Sequence, residues 1–133
     1  MSFQRGLTTY RQTQVQSRTP LELVVMLYDG ALKFLHQARL AVEQGDIAAR
    51  RDASARALTI VSELQSTLNM EQGGEIAERL DELYAYVTAR ILQAAAANAV
   101  GPLDDASRVL ATLRESWLAV ATPEIDTEVR GAA

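Results

Sequence analysis

The chain has 133 residues, 48% of them hydrophobic and 23% charged, with a formal net charge of −4 and no cysteine. That length is one domain by the usual measure of about 100–200 residues, and the acidic balance offers nucleic acid no basic stripe to follow. Without cysteine there are no disulfides, no thiolate chemistry and no cysteine-built zinc site, as suits a reducing compartment.

Residues 1–18 open the chain without a long apolar face. Ser2, Phe3, Gln4, Arg5 and Gly6 lack the hydrophobic core of a secretory signal, and Leu7, Tyr10 and Val15 make only a short helical patch. This segment is expected to be a mobile N-terminal arm until something holds it. Thr19, Pro20 and Glu22 then spell a helix start. Threonine sits at the N-cap, proline at the first helical position, where no N–H is needed, and glutamate three residues after the cap. Apolar residues recur at Val24, Tyr28, Ala31, Leu35, Ala38 and Val42, and a second stripe runs through Leu27, Phe34 and Ala41. Two stripes call for at least two neighbours. Gly45 is placed to end this helix and Asp46 to cap the next.

A second helix is expected over 47–69, seamed by Ala53, Ala57, Ile60, Val61, Leu64 and Leu68, with Arg50, Arg51, Asp52, Arg56 and Glu63 toward solvent. Gly73 and Gly74 predict a break, and a third helix follows over 75–98 with Ile76, Leu80, Leu83, Val87 and Ile91 on its seam. Gly101 and Pro102 predict the last break. Beyond it Ala106, Val109, Leu110, Leu113, Trp117 and Val120 mark a fourth helix ending near Thr122 and Pro123. Short connections between helices of similar length predict an all-α, antiparallel up-down-up-down four-helix bundle over 19–122, with a flexible C-terminal tail over 123–133. The acid-before-base pairs Asp52 with Arg56, Glu75 with Arg79 and Asp104 with Arg108 read as solvated faces. No run of about 18 apolar residues exists, so membrane insertion is not expected and the protein is placed in the cytosol.

Catalytic chemistry is hard to find. His36 is the only histidine, which excludes every two-histidine metal site. A histidine-phosphotransfer module could use one exposed His on such a bundle, but those domains usually place Lys and Gly at the third and fourth positions after it, where Arg39 and Leu40 stand here. The segment Glu71, Gln72, Gly73, Gly74, Glu75 has no Lys, Ser or Thr in register for a phosphate and is flanked by carboxylates, so it reads as a helix–helix turn. Asp104 and Asp105 begin the fourth helix, where negative charge suits the dipole. No catalytic pair, metal site or cofactor site follows from these residues, and the chain does not read as an enzyme. Tyr28, Asp29 and Gly30 leave two readings open. Tyr28 is either a core ring with its hydroxyl on a partner or the wall of a groove, and Gly30, at about 0.5–1 kcal/mol against Ala in a helix interior, marks close approach of another helix or of a ligand.

The spacing of Tyr10, Val15, Thr19, Pro20 and Leu23, then Met26, Leu27, Tyr28, Asp29, Gly30, Ala31 and Leu32, resembles the N-terminal half of the flagellar secretion chaperone FliS family. Leu64, Thr67, Leu68 and Asn69, then Leu83, Tyr84, Tyr86 and Val87, then Leu113, Arg114, Glu115 and Trp117 are similar to its later landmarks, so the likeness spans roughly residues 10–120. The extreme N-terminus departs from it, since many relatives have an Asn-Pro-Tyr-like opening where Tyr10 stands alone. The resemblance implies a cytoplasmic export chaperone that binds the disordered C-terminal segment of flagellin, prevents its premature polymerisation and delivers it to the type III flagellar export gate. It also implies flagellin contacts at Leu7, Tyr10, Gln14, Val15, Tyr28, Asp29 and Gly30, with the arm ahead of Thr19 touching flagellin or covering the empty groove.

Overall fold

A computed structural model describes residues 19–121 as four helices: α1 Pro20–Gln44, α2 Ile47–Ser66, α3 Met70–Ala97 and α4 Gly101–Ala121. Leu7, Tyr10, Gln14 and Val15, and the tail over 123–133, lie outside the described residues.

Local chemistry sets the boundaries. The Thr19 hydroxyl accepts from the Glu22 N–H at 3.1 Å, with Pro20 opening the helix behind it. At the far end Gly45 adopts φ 72°, and its N–H reaches the Val42 carbonyl while the Asp46 N–H reaches that of Ala41. This is the paired C-terminal closure that a left-handed residue permits. Asp46 then accepts from the Ala49 N–H at 3.0 Å and starts α2.

The next two junctions differ from expectation. The second helix stops at Ser66 and not at Asn69, because Asn69 is occupied in capping: its side chain accepts from the Gln72 N–H at 3.0 Å and begins α3 at Met70. The glycine pair is a kink within α3, where Gly74 takes φ 52° and ψ −130°, a conformation open essentially to glycine alone. Gly101 and Pro102 are likewise the first residues of α4, and the break lies before them, where Asn98 adopts the left-handed φ of 50°. Proline is tolerated there because the first turn of a helix needs no donor.

α1 packs on α2 and α4, and α3 packs on the same two, which is the neighbour order of an up-down-up-down bundle. Tyr28, Ala31, Leu35 and Ala38 of α1 meet Ala53, Ala57, Val61 and Leu64 of α2, Tyr84, Val87, Ile91 and Ala94 of α3, and Leu103, Ala106 and Leu110 of α4. Alanine at so many buried positions lets the helices approach closely. Three seam residues depart from their expected places. Ile76 is 73% exposed, because Ala77 beside it takes the core-facing place on the stripe that continues through Tyr84, Val87, Ile91 and Ala94, Val120 near the end of α4 is exposed, and Trp117 is only half-buried. Arg50, expected in solvent, is 8% exposed and donates from Nη1 to the Asn98 side chain at 2.7 Å, tying α2 to the α3–α4 turn.

The surface charges also differ in part. Arg56 pairs with Asp52 at 3.1 Å as expected and stands over the Phe34 ring, 5.7 Å from its centroid. Asp104 does not pair with Arg108. It reaches across to Arg39 of α1, while Asp105 holds Arg90 of α3 and meets Arg108 at 3.6 Å. The two aspartates therefore fasten α4 to both of its neighbours.

Candidate partner-binding grooves

Among the described residues, open grooves run between the helices, and three of them are large enough to receive side chains of a partner. The first has a volume of about 360 Å³ and draws on every helix: Val24 of α1, Leu64 and Leu68 of α2, Ile76, Leu80 and Tyr84 of α3, and Trp117 of α4. Its rim includes Asn69 and Gly73 from the α2–α3 junction, so the cap and the kink that end one helix and bend the next also shape this opening. The second, about 340 Å³, lies between α3 and α4 over Leu83, Tyr86, Val109 and Leu113, with Asp105 and Arg108 at its edge. The third, about 530 Å³, lies between α1 and α2 over Met26, Leu27, Phe34 and Ile60 and is bordered by Lys33, Arg56 and Glu63.

Tyr28 does not line any of these grooves. It is fully buried, its hydroxyl lies 2.6 Å from that of Tyr84 and 3.1 Å from the indole Nε1 of Trp117, and the two phenol rings tilt at 46° with centroids 6.5 Å apart. The core reading of Tyr28 is the one the structure supports, with its polar end satisfied as buried phenols require. Burial raises the pKa of both phenols above the ordinary value, and for Tyr84 the hydrogen bond to Tyr28 raises it further. Asp29 is half-exposed and paired with Arg114 of α4. Gly30 lines the third groove, and a Cβ there would come 3.2 Å from Ile60 Cδ1. Its small size therefore answers the approach of α2. Leu7, Tyr10, Gln14 and Val15 cannot be placed against any groove, since they precede the described residues.

Tyr84 and Trp117 were visible as landmarks but not as groove residues. A phenol among the Leu, Val and Ile of the α3 seam was the available signal, since a buried hydroxyl there demands a polar partner across the bundle. His36 is exposed on α1 and lines none of the grooves. Among the described residues no cluster of His, Cys, Asp and Glu is arranged to hold a metal ion, and no helix is long and apolar enough to cross a membrane.

A small helical bundle with open apolar grooves at its junctions has the build of a protein-binding module. Residues 3–124 match the family described as flagellar protein FliS, and the chain belongs to that family. It is 38% identical over 117 residues to the flagellar secretion chaperone FliS of Salmonella typhimurium (strain LT2), an alignment covering 84% of this chain and 87% of the relative. It is 35% identical to the protein of the same description from Vibrio cholerae, over 84% of this chain and 85% of that one. For the Bacillus subtilis flagellar secretion chaperone FliS the identity is 33%, over 88% and 86%. The family is one of chaperones, and the all-helical bundle is the scaffold on which this chain presents its grooves.

Proposed function

We propose that this chain is a non-enzymatic cytoplasmic chaperone that binds the disordered C-terminal segment of newly made flagellin, keeps it from polymerising early, and presents it to the type III flagellar export gate. The observation that carries this reading is the first groove, an apolar opening walled by all four helices of a chain that belongs to the flagellar secretion chaperone family. An unfolded segment with apolar residues at helical spacing lays them into such openings, exchanging wet apolar area for burial at roughly 25 cal/mol per Å². Ordering the segment costs about 2–5 kcal/mol, which keeps the complex reversible, as a carrier that must release its cargo requires. The arm ahead of Thr19 completes the site in this proposal, with Leu7, Tyr10, Gln14 and Val15 on the cargo or over the vacant groove.

Calorimetry with a synthetic flagellin C-terminal segment tests the reading. A one-to-one complex with a negative heat-capacity change is expected. Absence of binding at tens of micromolar overturns it. Tyr10→Ala is expected to weaken that binding with little change in the unfolding midpoint, because the core cluster is built from residues of the four helices that begin after Thr19.

A further inference from the structure

The third groove carries positive charge on both of its rims. Its floor is Met26, Leu27 and Phe34 of α1 with Ile60 of α2, all half-buried, so apolar surface is left facing outward. Lys33, the only lysine of the chain, stands exposed on the α1 rim and makes no ion pair among the described residues. Arg56 faces it from the α2 rim, and its carboxylate partner Asp52 is as exposed as Arg56 itself, a pairing that solvent screens. Glu63, the acid of this groove, lies seven residues further along α2, about two turns from Arg56. The other two grooves differ. No charged residue lines the first, and in the second Arg108 already meets Asp105.

The sequence that follows α4 is complementary to this groove. Within 122–133, Glu124, Asp126 and Glu128 alternate with Ile125, Thr127 and Val129, and Arg130 is the only base. In an extended chain Ile125 and Val129 share one side and the carboxylates the other. The apolar side can then face the floor while the carboxylates stay level with the rims, within reach of the long Lys33 and Arg56 side chains. The segment ahead of α1 has the opposite charge. Residues 1–18 contain Arg5, Arg11 and Arg18 and no carboxylate, so rims that attract the tail repel the arm.

The chain is long enough to make the contact. Arg39 with Asp104, Asp29 with Arg114 and Tyr28 with Trp117 show that α4 runs down as α1 runs up. Ala121, one turn past Trp117, therefore lies near the level of Val24. Lys33 is nine residues further up α1, about 13 Å at 1.5 Å per residue, and across a helix about 10 Å wide. Seven extended residues carry the chain from Ala121 to Glu128, up to about 23 Å. We propose that residues 122–133 lie in the α1–α2 groove of their own chain, with Ile125 and Val129 against Met26, Leu27 and Phe34 and the carboxylates between Lys33 and Arg56. Any other segment entering this groove must displace the tail, so the groove is guarded in the free protein.

A single lysine makes the test direct. A water-soluble carbodiimide added to the full-length protein activates carboxylates, and the Lys33 amine displaces the activated group to form an amide where the two are in contact. Peptide mass mapping reads the junction. Lys33 is expected to be joined to Glu128 or a neighbouring tail carboxylate within one chain, at a yield independent of protein concentration. The double variant Ile125→Ser, Val129→Ser keeps every carboxylate and the same reach but loses the apolar contact, and its yield is expected to fall at least about fivefold. A Lys33 that forms no bond to the tail overturns the proposal. A yield that the double variant leaves within about twofold overturns it too, since tethering alone then accounts for the bond. A bond between two chains that grows with concentration overturns it in favour of a second copy's tail.

Discussion

Asp29 on α1 accepts a hydrogen bond from the Arg114 guanidinium on α4, one residue along α1 from the place where Trp117 of α4 donates to Tyr28. The two contacts lie side by side on the α1–α4 seam. One is half-exposed and ionic, the other is at the core, and together they fix the level at which Trp117 meets the first groove. Asp29 thus has a task within the bundle, whatever else it touches.

This arrangement predicts a mild phenotype for Asp29→Asn. Asparagine keeps an oxygen for Arg114 and loses only the charge, and half-exposed ion pairs are screened by solvent. The unfolding midpoint is expected to stay close to that of the wild type, and affinity for the flagellin segment to change by less than about twofold, as for a peripheral screened charge. A large loss of affinity with an unchanged midpoint would place Asp29 in direct contact with cargo.

Gly30→Ala should be neutral or stabilising. The added Cβ meets Ile60 Cδ1 at 3.2 Å, which is tight, but that atom is the free end of a half-buried side chain beside the open third groove. A shift of a few tenths of an ångström relieves the contact. The helix gains about 0.5–1 kcal/mol of propensity. Gly30→Leu, which cannot be relieved in this way, is expected to lower stability, and chemical denaturation of the two variants measures the contrast.

Which parts of this molecule could be read from its sequence follows from how local their causes are. Thr19, Pro20, Gly45 and Asp46 act within a few residues, and each does what its position announces. Asn69 was open to a second assignment because a helix end and a helix start compete for the same residue, and only the side-chain bond to Gln72 decides between them. Ile76 stands four residues before Leu80 and is still exposed, since the buried stripe of α3 runs through Ala77, Tyr84, Val87, Ile91 and Ala94, and an apolar residue next to a small one does not announce which of the two faces the core. Arg50 was hidden for a different reason. Its partner Asn98 lies 48 residues away in the turn that follows α3, and charge argues for solvent until such a partner is known. The first groove was the least legible element, because it is a gap among four helices and no single stripe of residues encodes it.

The Arg50–Asn98 contact predicts an asymmetry between its two ends. Asn98 both accepts from the guanidinium and sustains the left-handed turn that closes α3. Asn98→Ala strands a buried cation, strains the turn and is expected to cost about 2–4 kcal/mol. Arg50→Met removes the cation along with its need for a partner and fills similar space. It is expected to cost far less or to stabilise, as apolar replacements of buried charges often do. Urea unfolding of both variants checks the order, and a greater loss for Arg50→Met would show that the guanidinium contributes more than its burial costs.

Alkaline pH should unfold the protein through Tyr28 and Tyr84. Burial raises both phenols above the ordinary value of 10.0 in the folded state. Below pH 10 folded and unfolded chains both keep these hydrogens, and the stability due to the phenols is fully present. Above pH 10 the unfolded chain releases them while the folded chain holds on, so the unfolded state binds fewer protons and stability falls as pH rises. Each phenol contributes a slope of about 1.4 kcal/mol per pH unit in that window, or roughly 2.8 for the pair. Tyrosinate absorbance followed alongside circular dichroism is the measurement. Two of the four tyrosines are expected to ionise only as the helices melt, and ionisation of all four in the folded protein would show that the Tyr28–Tyr84 pair is open to solvent.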